Sequence, residues 1–413
     1  ILTIREKWEH FLGAETSTLT QDYLRVKYPI KKEKNNILIN GSICPNQELV
    51  DLVRSLNPNE ALVDDNVIIA MHVTEDELSE SEWDKAVMDE KECNVKYLKV
   101  NQSWDIFTNN REAIKDDYAI LTKGRKSQAV SETNRVIGKD LFLEEGAKVN
   151  FAMLNTESGP IYIGKNAEVM EGAMIRGPFS LGEEAVIKMG AKIYGPTTIG
   201  PHCKAGGEIN NSVFFGYSNK AHDGFIGHSV IGEWCNLGAD TNNSNLKNNY
   251  EEVKLWSYPD RTFVGTGQQF CGMIMGDHSK TGINTMINTG TIIGVNCNIF
   301  GSGYQRNYIP SFAWGGTHGF KQYQLQKAVQ VAERVYTRRG LIFDEVEKEI
   351  LAHIFNDTLD NSMRKNCLTN TIVMQRDIMI NIGVLLKFAF LINQGNKASF
   401  SINYFNNIGQ NNV

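Results

Sequence analysis

The stretch IYIGKNAEVMEGAMIRGPFSLGEEAVIKMGAKIYGPTTIGPHCKA, residues 161–205, places an aliphatic or small residue at every sixth position: Ile163, Val169, Ile175, Leu181, Ile187, Ile193, Ile199 and Ala205. A globular core would not keep this count. A hexapeptide period puts one inward aliphatic on each flat face of a left-handed parallel β-helix. Three faces close one triangular coil of roughly 18 residues, and coils stacked about 4.8 Å apart bury a continuous apolar column. Glycine follows the aliphatic at Ile163-Gly164, Leu181-Gly182, Ile199-Gly200, Ile231-Gly232 and Ile293-Gly294, where tight corners need residues tolerant of unusual dihedrals. The frame slips between Ala205 and Phe225, resumes at Ile231 and Leu237, and reappears at Phe263, Met275, Thr281, Ile287, Ile293 and Ile299. The slips read as loops projecting from the coils.

Working outward, the pattern predicts an α/β domain over 1–130, the β-helix over 138–304, a capping segment and C-terminal helix over 305–358, and a tail over 359–413. The first domain alternates strand-like and helical patterns, which suggests three layers. Its clearest unit is Ile37-Leu38-Ile39, a turn at Asn40-Gly41-Ser42, and a helix opened by Pro45 with Leu49, Val50, Val53 and Leu56 on one stripe. A strand pair is expected around Asp64-Asp65-Asn66. Beyond the β-helix, IPSFAWGGTHGF is expected to cap the last coil and 321–355 to form one long amphipathic helix. The tail, with the apolar run IMINIGVLLKFAFLI at 378–392, reads as an appended segment without catalytic residues. Because the chain opens at Ile1 almost directly into a helical pattern, the native start is expected to lie upstream.

A chain of 413 residues suffices for two domains with sizeable cores, and a net charge of -6 argues against general nucleic-acid binding. No stretch is as long and apolar as a membrane span requires, and the N-terminus lacks the regions of a signal peptide. A cytoplasmic location is the default expectation. The seven cysteines, without CxxC pairs, read as reduced and mostly buried thiols.

The informative segment is the interrupted one, GEINNSVFFGYSNKAHDGFIGHSVIGEWCNLGADTNNSN, residues 207–245. Glu208, Asn211-Ser212, His222, Asn236, Gly238-Ala239, Thr241 and Asn245 follow the order and spacing of the acetyltransferase domain of the bifunctional UDP-N-acetylglucosamine diphosphorylase/glucosamine-1-phosphate N-acetyltransferases, a family this chain resembles. The resemblance implies that His222 is the general base toward a sugar amine, an imidazole being suited because it titrates near working pH. It also implies that Glu208 orients that ring and that Asn245 stabilises charge developing on the reacting carbonyl. Asn236, Asn210 and Phe225 fall at substrate-binding positions. Gly238 and Ala239, Thr266 in FVGT, and Asn284 fall on the coenzyme A side. His222 and Asn236 are 14 residues apart and Asn245 is 23 beyond His222, so neighbouring coils bring them toward one groove. The sequence departs from the family at Phe225 and Leu246, where the family has tyrosines, at Asn210, where it has lysine, and at Asp240, where it has glycine.

The same resemblance implies a nucleotidyltransferase half in the N-terminal domain, joining a nucleoside triphosphate to a sugar 1-phosphate with magnesium. The family's Gly-x-Gly-Thr-Arg loop does not occur here, INGSICP at 39–45 has the position of a later strand end, and Asp64, Asp65 and Asp105 are available carboxylates. The expectation is a divergent cytoplasmic homotrimer of UDP-N-acetylglucosamine and cell-envelope precursor synthesis that uses acetyl-CoA. Two alternatives stay open: a thymidylyl- or guanylyl-type sugar-1-phosphate nucleotidyltransferase with a structural β-helix, and a non-catalytic scaffold. A zinc site on His202, His222 and His228 is a lesser reading, because His222 and His228 lie six apart on different faces. Asn242, Asn243, Asn248 and Asn249 read as turn residues.

Overall fold

The computed structural model describes residues 1–75, 88–364 and 389–393. They fall into two compact units, residues 2–101 with the strand 389–393, and residues 102–364. In the first unit the strands Thr18–Leu19, Ala389–Asn393, Asn35–Asn40, Val67–Thr74, Glu60–Asp64 and Asp89–Glu92 form one sheet in that order. Part of the apolar tail is therefore an internal strand, since residues 389–393 pair antiparallel with both Asn35–Asn40 and Thr18–Leu19; the rest of that run lies outside the described residues. The helices Ile4–Leu12 and Gln47–Arg54 are capped by Thr3 and Asn46 side chains. Both pack on one face, with Trp8, Ile37, Ile39, Leu49, Val50 and Val53 in one core. The other face of the sheet buries a second cluster, Leu38, Ala61, Val63, Met71 and Val73. The helices Asp105–Thr108 and Asn110–Thr122 belong to the second unit, where Asn110 donates to Pro196 O (3.0 Å) and accepts from Thr198 (2.9 Å).

The second unit is a parallel β-helix with three sheets as its three faces. The first face runs from Arg135–Ile137 to Phe225–Gly227, the second from Leu141–Leu143 to Tyr308–Ile309, and the third from Lys148–Val149 to Ala313–Gly316. Hexapeptide aliphatics meet in register up the column, Ile175 opposite Ile193 on the first face, Leu181 opposite Ile199 on the second and Val169 opposite Ile187 on the third. Ile163, Leu181, Ile187 and Ile199 are wholly buried. The glycine after each aliphatic is dictated by the stack, since a Cβ on Gly182 would stand 2.5 Å from the backbone nitrogen of Pro201.

Three expectations are corrected. The slip after Ala205 is not a projecting loop but a run of shortened coils, so that Lys220, not residue 223, stands opposite Ala205. The projecting insertion comes later, between Asn242–Asn243 and Met273–Met275, and contains the hairpin Lys254–Ser257/Thr262–Gly265. Phe263 belongs to that hairpin, half-exposed against Trp256, and not to a coil. The single C-terminal helix is two, Leu325–Arg338 and Glu345–Arg364, because Gly340 takes a left-handed conformation (φ +71°) and ends the first. Tyr336 on that first helix stacks on Trp234 at 4.0 Å, docking it on a corner where His202, Tyr217 and Trp234 stack in succession.

Among the described residues Cys93, Cys203, Cys235, Cys271 and Cys297 are buried free thiols, and Cys44 is partly exposed. No helix among the described residues is long and apolar enough to cross a membrane.

Candidate functional site

His222 lies in the turn 221–224, which leads from the third-face strand Asn219–Lys220 into the first-face strand Phe225–Gly227. Its side chain is exposed. This turn stacks on the corner of the next coil, because the Asp240 amide donates to Asp223 O (3.0 Å) and a Cβ on Gly224 would reach within 2.3 Å of Thr241 O. The corner after that comes next in the stack, with the Asn284 amide donating to Ala239 O (2.8 Å). His222, Ala239 and Asn284 therefore line one corner of three successive coils, in keeping with their spacing.

The first face carries several more of the expected residues. Glu208 is the lateral neighbour of Phe225, and Asn210 that of Gly227. The Phe225 ring and the Asn245 carboxamide converge over Gly227, where a Cβ would sit 2.6 Å from Phe225 Cζ and 2.5 Å from Asn245 Nδ2. Only glycine leaves room for both. Asn242 and Asn243 serve the stack, their side-chain oxygens accepting from the amides of Phe225 and Gly227 at 2.8 Å each.

Two expected pairings are replaced. Glu208 does not hold His222; it accepts from the Tyr194 hydroxyl at 2.6 Å, and burial together with that carboxylate raises the tyrosine's pKa. Asn245 faces His228, its Nδ2 lying 2.9 Å from Nδ1, while the Asn211 carboxamide lies 3.1 Å from Nε2. Phe107 packs edge-on against this imidazole and Phe270 stacks on it. Burial pushes His228 down to about 4, so it is neutral at pH 7. A neutral imidazole has one donor and one acceptor, so one of the two carboxamides turns its oxygen to the ring. His228 is half-buried and held between the two carboxamides. His202 stacks on Tyr217, and among the described residues no cluster of three or more histidines, cysteines or acids could hold a metal.

The remaining candidates divide. Asn236 is exposed on the third face between Asn219 and Lys280. The Gly238 N–H is already committed to the stack, donating to Thr281 O at 3.1 Å. Thr266 is buried beside the hairpin, its hydroxyl donating to Val253 O (2.7 Å), away from the corner that carries Ala239 and Asn284. Sequence reading missed Tyr194 and Lys220, had Asn211 only as part of the family pattern, and weighed His228 only as a zinc ligand. Lys220 left no signal, because the shortened coils hide that its position faces the column.

In the first unit, Asp64, Asp65, Asn66, Cys93, Tyr97 and Lys99 line a groove of about 780 Å³ at the turn between the two strands expected there. Tyr97 donates to Asp64 (2.5 Å), and burial raises its pKa while lowering that of Lys99.

Fold and site together define a parallel β-helix of hexapeptide repeats preceded by an α/β unit. Residues 1–126 match the family model described as sugar nucleotidyl transferase. The chain is 33% identical over 90 residues to the bifunctional protein GlmU of Methanocaldococcus jannaschii, covering 22% of this chain and 21% of that protein. It is 36% identical over 93 residues to the bifunctional sugar-1-phosphate nucleotidylyltransferase/acetyltransferase of Sulfurisphaera tokodaii, covering 22% and 23%. The match thus spans about a fifth of the length of these curated relatives. Among solved structures, UDP-N-acetylglucosamine acyltransferase from Campylobacter jejuni covers 61% of this chain and 97% of its own at 17% identity, with a TM-score of 0.27.

Proposed function

We propose that this chain is a bifunctional sugar-nucleotide transferase whose β-helix moves an acetyl group from acetyl-CoA to the amine of an amino-sugar 1-phosphate. The observation that carries the reading is the alignment of exposed His222 with Ala239 and Asn284 on one corner, beside the Glu208, Phe225 and Asn245 face. In the reaction the amine nitrogen attacks the thioester carbonyl and His222 takes its proton. The carbon–sulfur bond then breaks, and the departing thiolate recovers that proton from the imidazolium. Phe225 offers the sugar an apolar surface in place of a hydroxyl, and Tyr194 supplies a hydroxyl on the same face through Glu208. The N-terminal unit, matched by the sugar nucleotidyl transferase model, would join a nucleoside triphosphate to a sugar 1-phosphate. Magnesium would shield the phosphates in that step, but Asp64 is engaged by Tyr97 and the described residues offer no set of three histidine, cysteine or acidic donors for it.

A cytoplasmic homotrimer is part of the same reading. It is supported by Ile137, Met153 and Met174, exposed apolar side chains on the first face, and is checked by light scattering. The engagement of Glu208 by Tyr194 and of Asn245 by His228 favours a second reading, a sugar-1-phosphate nucleotidyltransferase whose β-helix only assembles it. Pyrophosphate release without any sugar-dependent coenzyme A release would select that second reading.

A further inference from the structure

The inward positions of the third face run Val149, Val169, Ile187, Ala205, Lys220, Leu237, Thr281 and Ile299. Lys220 interrupts them with a side chain only 1% exposed. Its ammonium donates to the backbone oxygens of His222 and of Asp223, the latter at 2.8 Å. Both carbonyls are thereby turned inward, while both side chains are exposed. Room for the ammonium is made above it by Gly207, left-handed at φ +70°, where a Cβ would lie 2.8 Å from Lys220 Nζ and 2.8 Å from Gly224 O.

We propose that Lys220 is a positioning residue, a buried ammonium that pins the 221–224 turn and so fixes the exposed imidazole of His222 at the coil corner. The inference rests on His222 being the base of the acetyl transfer, but the pinning is separately measurable. A buried charge is retained at a cost, and apolar replacement is often neutral or stabilising, so stability alone does not explain a lysine in an aliphatic column. Burial pushes the ammonium down to about 8, with the carboxylates of Asp223 and Asp240 opposing that fall.

The test compares the full chain with Lys220→Met, which keeps the length and apolar stem, and with Gly207→Ala, which crowds the same ammonium from outside. Amide hydrogen exchange of Glu208 and Asp240, whose N–H groups donate to Gly224 O and Asp223 O of the turn, and steady-state acetyl transfer are measured on each. The expected result is exchange at these two amides faster by about tenfold or more, and kcat lower by about tenfold or more with both KM values within about twofold, as for a displaced catalytic group. Unchanged exchange at both amides in a folded Lys220→Met would overturn the pinning. Faster exchange with unchanged kcat would overturn the positioning role. If wild type shows no transfer at all, the acetyltransferase reading fails, and faster exchange would still assign Lys220 to the turn.

Discussion

His228 should make the β-helix sensitive to mild acid. Its imidazole is enclosed by Phe107, Phe270, Asn211 and Asn245, and burial lowers it from the ordinary 6.5 to about 4. Above pH 6.5 the folded and unfolded chains both hold it neutral. Between pH 6.5 and about 4 the unfolded chain takes up a proton that the folded chain refuses, so stability falls as pH falls through this window. The full effect is about 3 kcal/mol, and roughly 2 kcal/mol of it is already lost at pH 5. In His228→Gln that pH-dependent loss disappears. The assay is native-state hydrogen exchange of the strands at 225–231 at pH 7 and pH 5 in both proteins, with a direct NMR titration of the histidines. A His228 resonance titrating near 6.5, or equal losses in the two proteins between pH 7 and pH 5, would refute the enclosure argument.

Ile187→Ala leaves a cavity in a close-packed column and should cost about 2–5 kcal/mol in chemical denaturation, with the parallel register intact. Gly182→Ala pushes a Cβ to 2.5 Å from the Pro201 nitrogen, so it should lower the melting temperature although the added group is one methyl. Tyr194→Phe removes the donor to Glu208 and should alter kcat/KM for the amino sugar while changing that for acetyl-CoA less than twofold; equal change in both would contradict a sugar-side role.

The β-helix was legible because each aliphatic at the six-residue period occupies one wall, a local rule that repeats from Ile163 to Ala205. It became illegible where coils shorten, since nothing near Ala205 announces that Lys220 will stand opposite it. The left-handed turn at Gly340 that splits the C-terminal helices was within reach, glycine past the last helical turn being a common stop. The enclosure of His228 was not, because Phe107 and Phe270 come from a preceding helix and a later insertion. The same holds for Asn245, whose position matched a catalytic pattern but whose partner is decided by which ring the shortened coils bring within 2.9 Å. In the first unit, the Asp64-Asp65 turn was visible as a turn, while the engagement of Asp64 by Tyr97 joins residues 33 positions apart, which no local pattern announces.

The most direct test of the acetyl-transfer account is release of free coenzyme A, followed with a thiol reagent, from acetyl-CoA and glucosamine 1-phosphate by the wild-type chain and by His222→Ala. The account predicts release that requires the sugar and falls by about a hundredfold or more in the variant, with the fold unchanged. Sugar-dependent release at the wild-type rate in His222→Ala, or none from the wild type, would contradict it.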